Sequence, residues 1–158
     1  MTTYRITTKK KAIKGSEKDD SFFGSKFKDI FDGRDGDDYV SGAEGSDNLT
    51  GGGGDGSDKV LGGLGKDNLY GGLGNDKLYG GLGKDILQGQ DGNDTLYGEG
   101  GPDDLTGGNG VDSMFGGAGA DIFHSDDGSA NDTLDGGSES DTAIDHDPGD
   151  TLISIEIT

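Results

Sequence analysis

The chain has 158 residues, of which 35 are glycine, 27% are hydrophobic and none is cysteine or tryptophan, and it carries a formal charge of −19. Low hydrophobicity with high net charge marks a chain that cannot bury enough apolar surface to fold unaided, because roughly 1–2 kcal/mol of backbone entropy opposes every ordered residue. No disulfide or thiolate metal site is available, no apolar run is long enough for a membrane-spanning helix, and residues 1–15 lack the apolar core of a cleavable signal peptide.

Residues 1–14 carry Arg5, Lys9, Lys10, Lys11 and Lys14 beside an alternating Tyr4 and Ile6. They form either a solvated basic arm or a cap over the first coil. An acidic body argues against a nucleic-acid partner. From Gly15 a nine-residue register can be followed by an aspartate and an apolar residue two places later: Asp20/Phe22, Asp29/Phe31, Asp38/Val40 and Asp47/Leu49. Gly51 and Gly52 intrude, and eight nonapeptides without insertion then run from Gly53 to His124, with aspartates at 58, 67, 76, 85, 94, 103, 112 and 121. After an interruption at Ser125 and Asp126, Asp132/Leu134 and Asp141/Ala143 close a series of fourteen units.

Most units read glycine, glycine, any, glycine, any, aspartate, any, apolar, any, a known calcium-binding repeat pattern. The chain resembles the RTX family, the hemolysin-type calcium-binding nonapeptide repeats of secreted bacterial proteins, over most of its length. The resemblance implies an all-β fold, a right-handed parallel β-roll of about seven coils, with two units per eighteen-residue coil. Within a unit, residues such as Asn68, Leu69 and Tyr70 form a short strand whose middle side chain points inward.

Stacking alternate units places the aspartates in two columns, where like charges about 4.8 Å apart repel by about 3 kcal/mol per pair at an effective dielectric near 20. A hard cation with six to eight oxygen ligands relieves this, whereas zinc or copper wants His or Cys and magnesium keeps its waters. Ten units hold glycine at the fourth position, and these set the metal-binding body at residues 33–124. Its expected carboxylate ligands are Asp38, Asp47, Asp58, Asp67, Asp76, Asp85, Asp94, Asp103, Asp112 and Asp121. The expected backbone carbonyls are those of turn residues such as Gly53, Asp55, Gly56, Gly62, Leu64, Gly65, Gly71, Leu73, Gly74, Gly80, Leu82, Gly83, Gly89, Asp91, Gly92, Gly107, Asn109 and Gly110. Four gaps per column imply about eight calcium ions, which nearly neutralise the chain.

Units 15–32 and 127–144 put Lys18, Phe27, Ala130 and Glu139 at the fourth position and read as degenerate capping repeats. Residues 145–158, with Leu152, Ile153, Ile155 and Ile157 after Pro148 and Gly149, read as a capping strand, and the family resemblance implies that this tail, with Asp150 before its apolar end, also carries a secretion signal. No nucleophile–base set stands out, His124 and His146 are each isolated in the sequence, and Gly51, Gly53 and Gly56 match a dinucleotide-binding glycine pattern without a helix after it. No enzyme is expected.

Leu61, Tyr79, Tyr97 and Phe115 line one face, either as a sheet-stabilising ladder or as a stripe for glycan, surface or self-association. The family resemblance implies a domain that is disordered without calcium, leaves the cell by type I secretion and folds outside. Two other readings stay open: a calcium-dependent adhesion module using the Tyr79/Tyr97 face, and the repeat region of a larger toxin, lipase or protease.

Overall fold

The computed structural model describes residues 1–6, 12–125 and 131–157. Lys9, Lys10, Lys11 and Ala130 lie outside that set. The described residues form two nine-stranded parallel sheets. One contains Thr2–Arg5, Asp20–Phe23, Tyr39–Gly45, Lys59–Gly65, Lys77–Gly83, Thr95–Gly100, Ser113–Ala118, Thr133–Ser138 and Thr151–Ile153. The other contains Ala12–Lys14, Ile30–Asp32, Asn48–Gly52, Asn68–Leu73, Ile86–Asp91, Asp104–Asn109, Ile122–His124, Asp141–Asp145 and Ile155–Ile157. The chain crosses from one sheet to the other at every turn, which makes an all-β parallel solenoid of about eight turns, one more than expected.

The core is a single file of inward side chains, one per strand. Phe22, Phe31, Val40, Leu49, Val60, Leu69, Leu78, Leu87, Leu96, Leu105, Met114, Phe123, Leu134 and Ala143 are all sealed from solvent. Each is the apolar residue two places after an aspartate, as the period requires. The strands are longer than three residues, however. Lys59–Gly65 continues through Gly62 and Gly63 into the turn, because glycine backbones pack coil on coil where a Cβ would collide: at Gly83, φ is +152° and a Cβ would run into the Gly65 carbonyl.

The observed register departs from the expected one in two places. Gly52 pairs with Gly72, and Gly51 faces Asp58 and the Gly71 carbonyl as the other first-position glycines do. The two extra residues of that unit are therefore taken up in the bend at 53–55, where Gly53 meets open space. Gly51, not Gly53, holds the first position. Both chain ends also belong to the coil. Tyr4 pairs with Phe22 and Ile13 with Phe31, one coil earlier, while Leu152 pairs with Leu134 and Ile155 with Asp141. Tyr4, Ile13, Leu152 and Ile155 are half-buried against the core and cover its ends. Among the basic residues, Lys14 Nζ sits 2.9 Å from Asp32 Oδ2 and the Arg5 guanidinium lies 5.3 Å from the centre of the Phe23 ring.

Candidate metal centre

The aspartates of alternate units stack in two buried columns. In the first, the Asp58 amide donates to Asp76 Oδ1 at 2.8 Å, Asp76 to Asp94 at 2.7 Å and Asp94 to Asp112 at 2.7 Å. In the second, Asp67 donates to Asp85, Asp85 to Asp103 and Asp103 to Asp121, each at 2.8 Å. Asp38 joins the first column through Asp58, and Asp47 the second through Asp67. All ten expected carboxylates are buried, none more than 3% exposed. One oxygen of each thus belongs to the backbone ladder.

The other oxygen is left over. Oδ2 of Asp38, Asp47, Asp67, Asp76, Asp85, Asp94, Asp103 and Asp121 is buried and accepts no hydrogen bond, a costly arrangement for a charged group. These oxygens point into spaces that only glycine leaves open. A Cβ built on Gly80 would lie 2.8 Å from Asp85 Oδ2 and 2.8 Å from the Gly98 carbonyl of the next coil. At Gly98 the same two kinds of oxygen, from Asp103 and Gly116, would each lie 2.6 Å away. Burial therefore raises the carboxyls of Asp38, Asp47, Asp76 and Asp103 to about 7, and those of Asp58, Asp85 and Asp94 to about 6. The amide donated from the preceding coil offsets part of that rise, and neighbouring carboxylates add to it.

Paired carboxylate and carbonyl oxygens at an unfilled concavity suit a hard divalent cation, and calcium in particular, which takes flexible all-oxygen shells. Among the described residues no three His, Cys, Asp or Glu side chains gather in one place, so side chains supply at most part of any shell and backbone carbonyls must supply more. A family model described as the RTX calcium-binding nonapeptide repeat matches residues 14–49, 52–87, 79–114, 88–123 and 126–143. The chain belongs to the RTX family. No curated protein matches it. As an RTX chain it is a calcium-binding repeat domain, and its β-roll is a structural fold.

The proposed carbonyl donors divide by position. First-position carbonyls, such as those of Gly80 and Gly89, face the glycine of the coil before, and fourth-position carbonyls, such as those of Gly65 and Gly74, face the coil after. The third-position carbonyls of Asp91 and Asn109 already accept the amides of Gly74 and Gly92 at 2.9 and 2.8 Å. Asp55 lies in the bend that absorbs the two extra residues.

The ends of the columns are built differently. In the units that lack the fourth glycine, the Ser16 amide donates to Asp20 Oδ2 and the Ser25 amide to Asp29 Oδ2, both at 2.6 Å. Burial works against ionising Asp20, but the amides of Ser16 and Thr2 prevail and hold its carboxyl below the usual range. At the other end Asp150 continues the first column, accepting the Asp132 amide on Oδ1 and Ser125 Oγ and the Asp147 amide on Oδ2. Sequence reading gave Asp150 to the C-terminal tail and not to the column, yet it lies eighteen residues, one coil, beyond Asp132. It also set aside Asp141, whose buried Oδ2 accepts no hydrogen bond and lies on the open face of Gly136.

The aromatic stripe exists in register. Tyr79 and Tyr97 stack at 4.9 Å between centroids and 13°, Tyr97 and Phe115 at 5.0 Å and 11°. Lys59 Nζ covers the other side of Tyr79 at 5.2 Å. Both faces of Tyr79 and of Tyr97 and one face of Phe115 are thus covered. On the opposite sheet His124 is not solitary: its Nε2 lies 3.4 Å from Asp104 Oδ1.

Proposed function

We propose that this chain is a calcium-folded stabilising domain, disordered without calcium and ordered by about eight ions held between the coils of residues 33–124. The observation that carries this reading is the double column of buried aspartates, in which Oδ2 of Asp38, Asp47, Asp67, Asp76, Asp85, Asp94, Asp103 and Asp121 accepts no hydrogen bond. When bound, calcium supplies positive charge and coordination to those oxygens. Each interior carboxylate lies between two gaps, with Oδ1, which also accepts the ladder amide, toward the coil before and Oδ2 toward the coil after, as in Asp85, so each coil positions the next. The glycines keep side chains out of the gap and let carbonyls approach. Asp38, Asp47, Asp58, Asp67, Asp76, Asp85, Asp94, Asp103, Asp112 and Asp121 are the proposed ligands, with first- and fourth-position carbonyls.

Folding that waits for calcium suits export of an unfolded chain from a calcium-poor cytosol, and the RTX family is typically secreted. We place the folded domain outside the cell, exported by a type I route, with stabilisation rather than catalysis as its task. No helix of the described residues is long and apolar enough to cross a membrane. The stacked rings favour the sheet-stabilising ladder over glycan docking, which needs exposed ring faces. Equilibrium dialysis tests the proposal: about eight calcium ions should bind per chain, with magnesium and zinc unable to compete at equal concentration. One or two ions, or equal binding of magnesium, would refute it.

A further inference from the structure

The two columns are equivalent by the repeat but not by their surroundings. Across the turns from Gly33 to Asp112, the first column is flanked by Asp35, Asp37, Asp55 and Asp91 against a single base, Arg34. Across the turns from Gly42 to Asp121, the second column is flanked by Lys66 and Lys84 against Glu44 and Glu99; the turn before it adds Lys26 and Lys28 and the turn after it Glu139, while the turn before the first column adds Glu17, Lys18 and Asp19. All of these side chains are exposed on the turn edges. In the fifth position, directly before the buried aspartate, the first column carries Asp37 and the second carries Lys28, Lys66 and Lys84.

A second, independent difference is built into the hydrogen bonds. In the first column the fifth-position side chains hold the next coil's backbone: Ser57 N donates to Asp37 Oδ1 at 2.9 Å, Asn93 N to Asn75 Oδ1 at 2.7 Å and Val111 N to Asn93 Oδ1 at 2.9 Å. Lysine, proline and alanine at the matching places Lys66, Lys84, Pro102 and Ala120 offer no acceptor for such a ladder. The first column's turns are therefore tied coil to coil before any ion arrives, and a pre-organised site gives up less freedom on binding.

We infer that the two columns form two classes of calcium site, the acid-flanked first column filling at lower calcium and the lysine-flanked second column filling later, so that calcium level sets a half-loaded state. This rests on the proposed calcium binding. One unit charge about 8 Å from a divalent ion changes affinity by about fivefold in water-like dielectric, and several such charges of opposite sign separate the columns. Cooperativity runs along a column, since each interior aspartate faces two gaps, so the expectation is two cooperative steps.

The experiment is a calcium titration followed through backbone amide resonances at about 0.01 M salt, where screening reaches about 30 Å, and again at about 1 M, where it reaches about 3 Å. Amides of Gly74, Gly92 and Gly110 report the first column, those of Gly65, Gly83 and Gly101 the second. At low salt the first set should reach half-change at severalfold less calcium, and the separation should shrink at high salt. The double variant Lys66→Asn, Lys84→Asn should lower the second midpoint severalfold and leave the first in place. Coincident midpoints at low salt, or a lysine variant that moves both columns equally, would overturn the inference while leaving calcium binding intact. Amides of neither column responding to calcium would overturn the calcium reading itself, and this inference with it.

Discussion

Replacing Asp85 by asparagine separates the charge of a column aspartate from its place in the backbone ladder. The asparagine carbonyl can still accept the Asp67 amide, which now meets Asp85 Oδ1 at 2.8 Å, while the charge and the unpartnered Oδ2 disappear. Asp85 faces two gaps, one shared with Asp67 and one with Asp103. If each loses one charged ligand and about tenfold in affinity, at about 1.4 kcal/mol per tenfold, the loaded roll loses about 3 kcal/mol. Asp85→Ala should cost more, because it also strips an acceptor from a buried amide at about 1–3 kcal/mol. Without calcium the sign reverses: burial has pushed the Asp85 carboxyl up to about 6, so removing that charge should make the calcium-free chain easier to order. Asp20→Asn is the control, since both Asp20 oxygens already accept backbone amides. Circular dichroism titrations of the three variants should give midpoints in the order Asp20→Asn below Asp85→Asn below Asp85→Ala. Equal midpoints for Asp20→Asn and Asp85→Asn would refute the assignment of Asp85 Oδ2 to the metal.

Four further outcomes are expected. In chelator, β content should rise as pH falls from 8 to 5: folded-state carboxyls at about 6–7 sit above the unfolded value near 3.9, so the empty roll binds more protons and loses stability as pH climbs through that range. Identical chelated spectra at both pH values would contradict this. Gln90 and Glu99 adopt φ of +83° and +72° where other units have glycine, so Gln90→Gly should stabilise the loaded roll by relieving about 1–2 kcal/mol of left-handed strain, less the extra chain entropy of glycine, and Gly83→Ala should abolish or strongly weaken folding, both read from thermal melts. Tyr79→Ser with Tyr97→Ser should leave calcium stoichiometry unchanged but lower the melting temperature, because two ring stacks worth about 0.5–1.5 kcal/mol each are lost. An unchanged melt would show that the ladder contributes nothing.

The fold was legible because one rule repeats. An aspartate followed two places later by an apolar residue put Phe22 through Ala143 in a single buried file, and the coil period put alternate aspartates in columns. That same period reaches Tyr4, Ile13, Asp150 and Leu152, each eighteen residues from a recognised partner, so both ends were readable as coil. Their weak turn sequences hid them, since Asp145 to Pro148 contains none of the repeat's glycines. The displaced glycine at Gly51 was not legible, because four consecutive glycines at 51–54 satisfy either alignment and only pairing with Gly71 and Gly72 decides between them. Nor could sequence divide the two oxygens of each carboxylate. That Oδ1 serves the neighbouring coil and Oδ2 does not is a property of stacking, as is the rotation of the Tyr79, Tyr97 and Phe115 rings onto one another. Lys66 and Lys84 stand eighteen residues apart, so their shared column was readable from the period, whereas the coil-to-coil hydrogen bonds of Asp37, Asn75 and Asn93 in the other column were not.

Far-ultraviolet circular dichroism of the intact chain in chelator, then in millimolar calcium, tests the central claim most directly. The account predicts a largely unordered spectrum at neutral pH that converts cooperatively to a β spectrum with calcium and returns on adding chelator. A full β spectrum with a sharp thermal transition in chelator would contradict it, because the buried aspartate columns would then be stable with no cation between them.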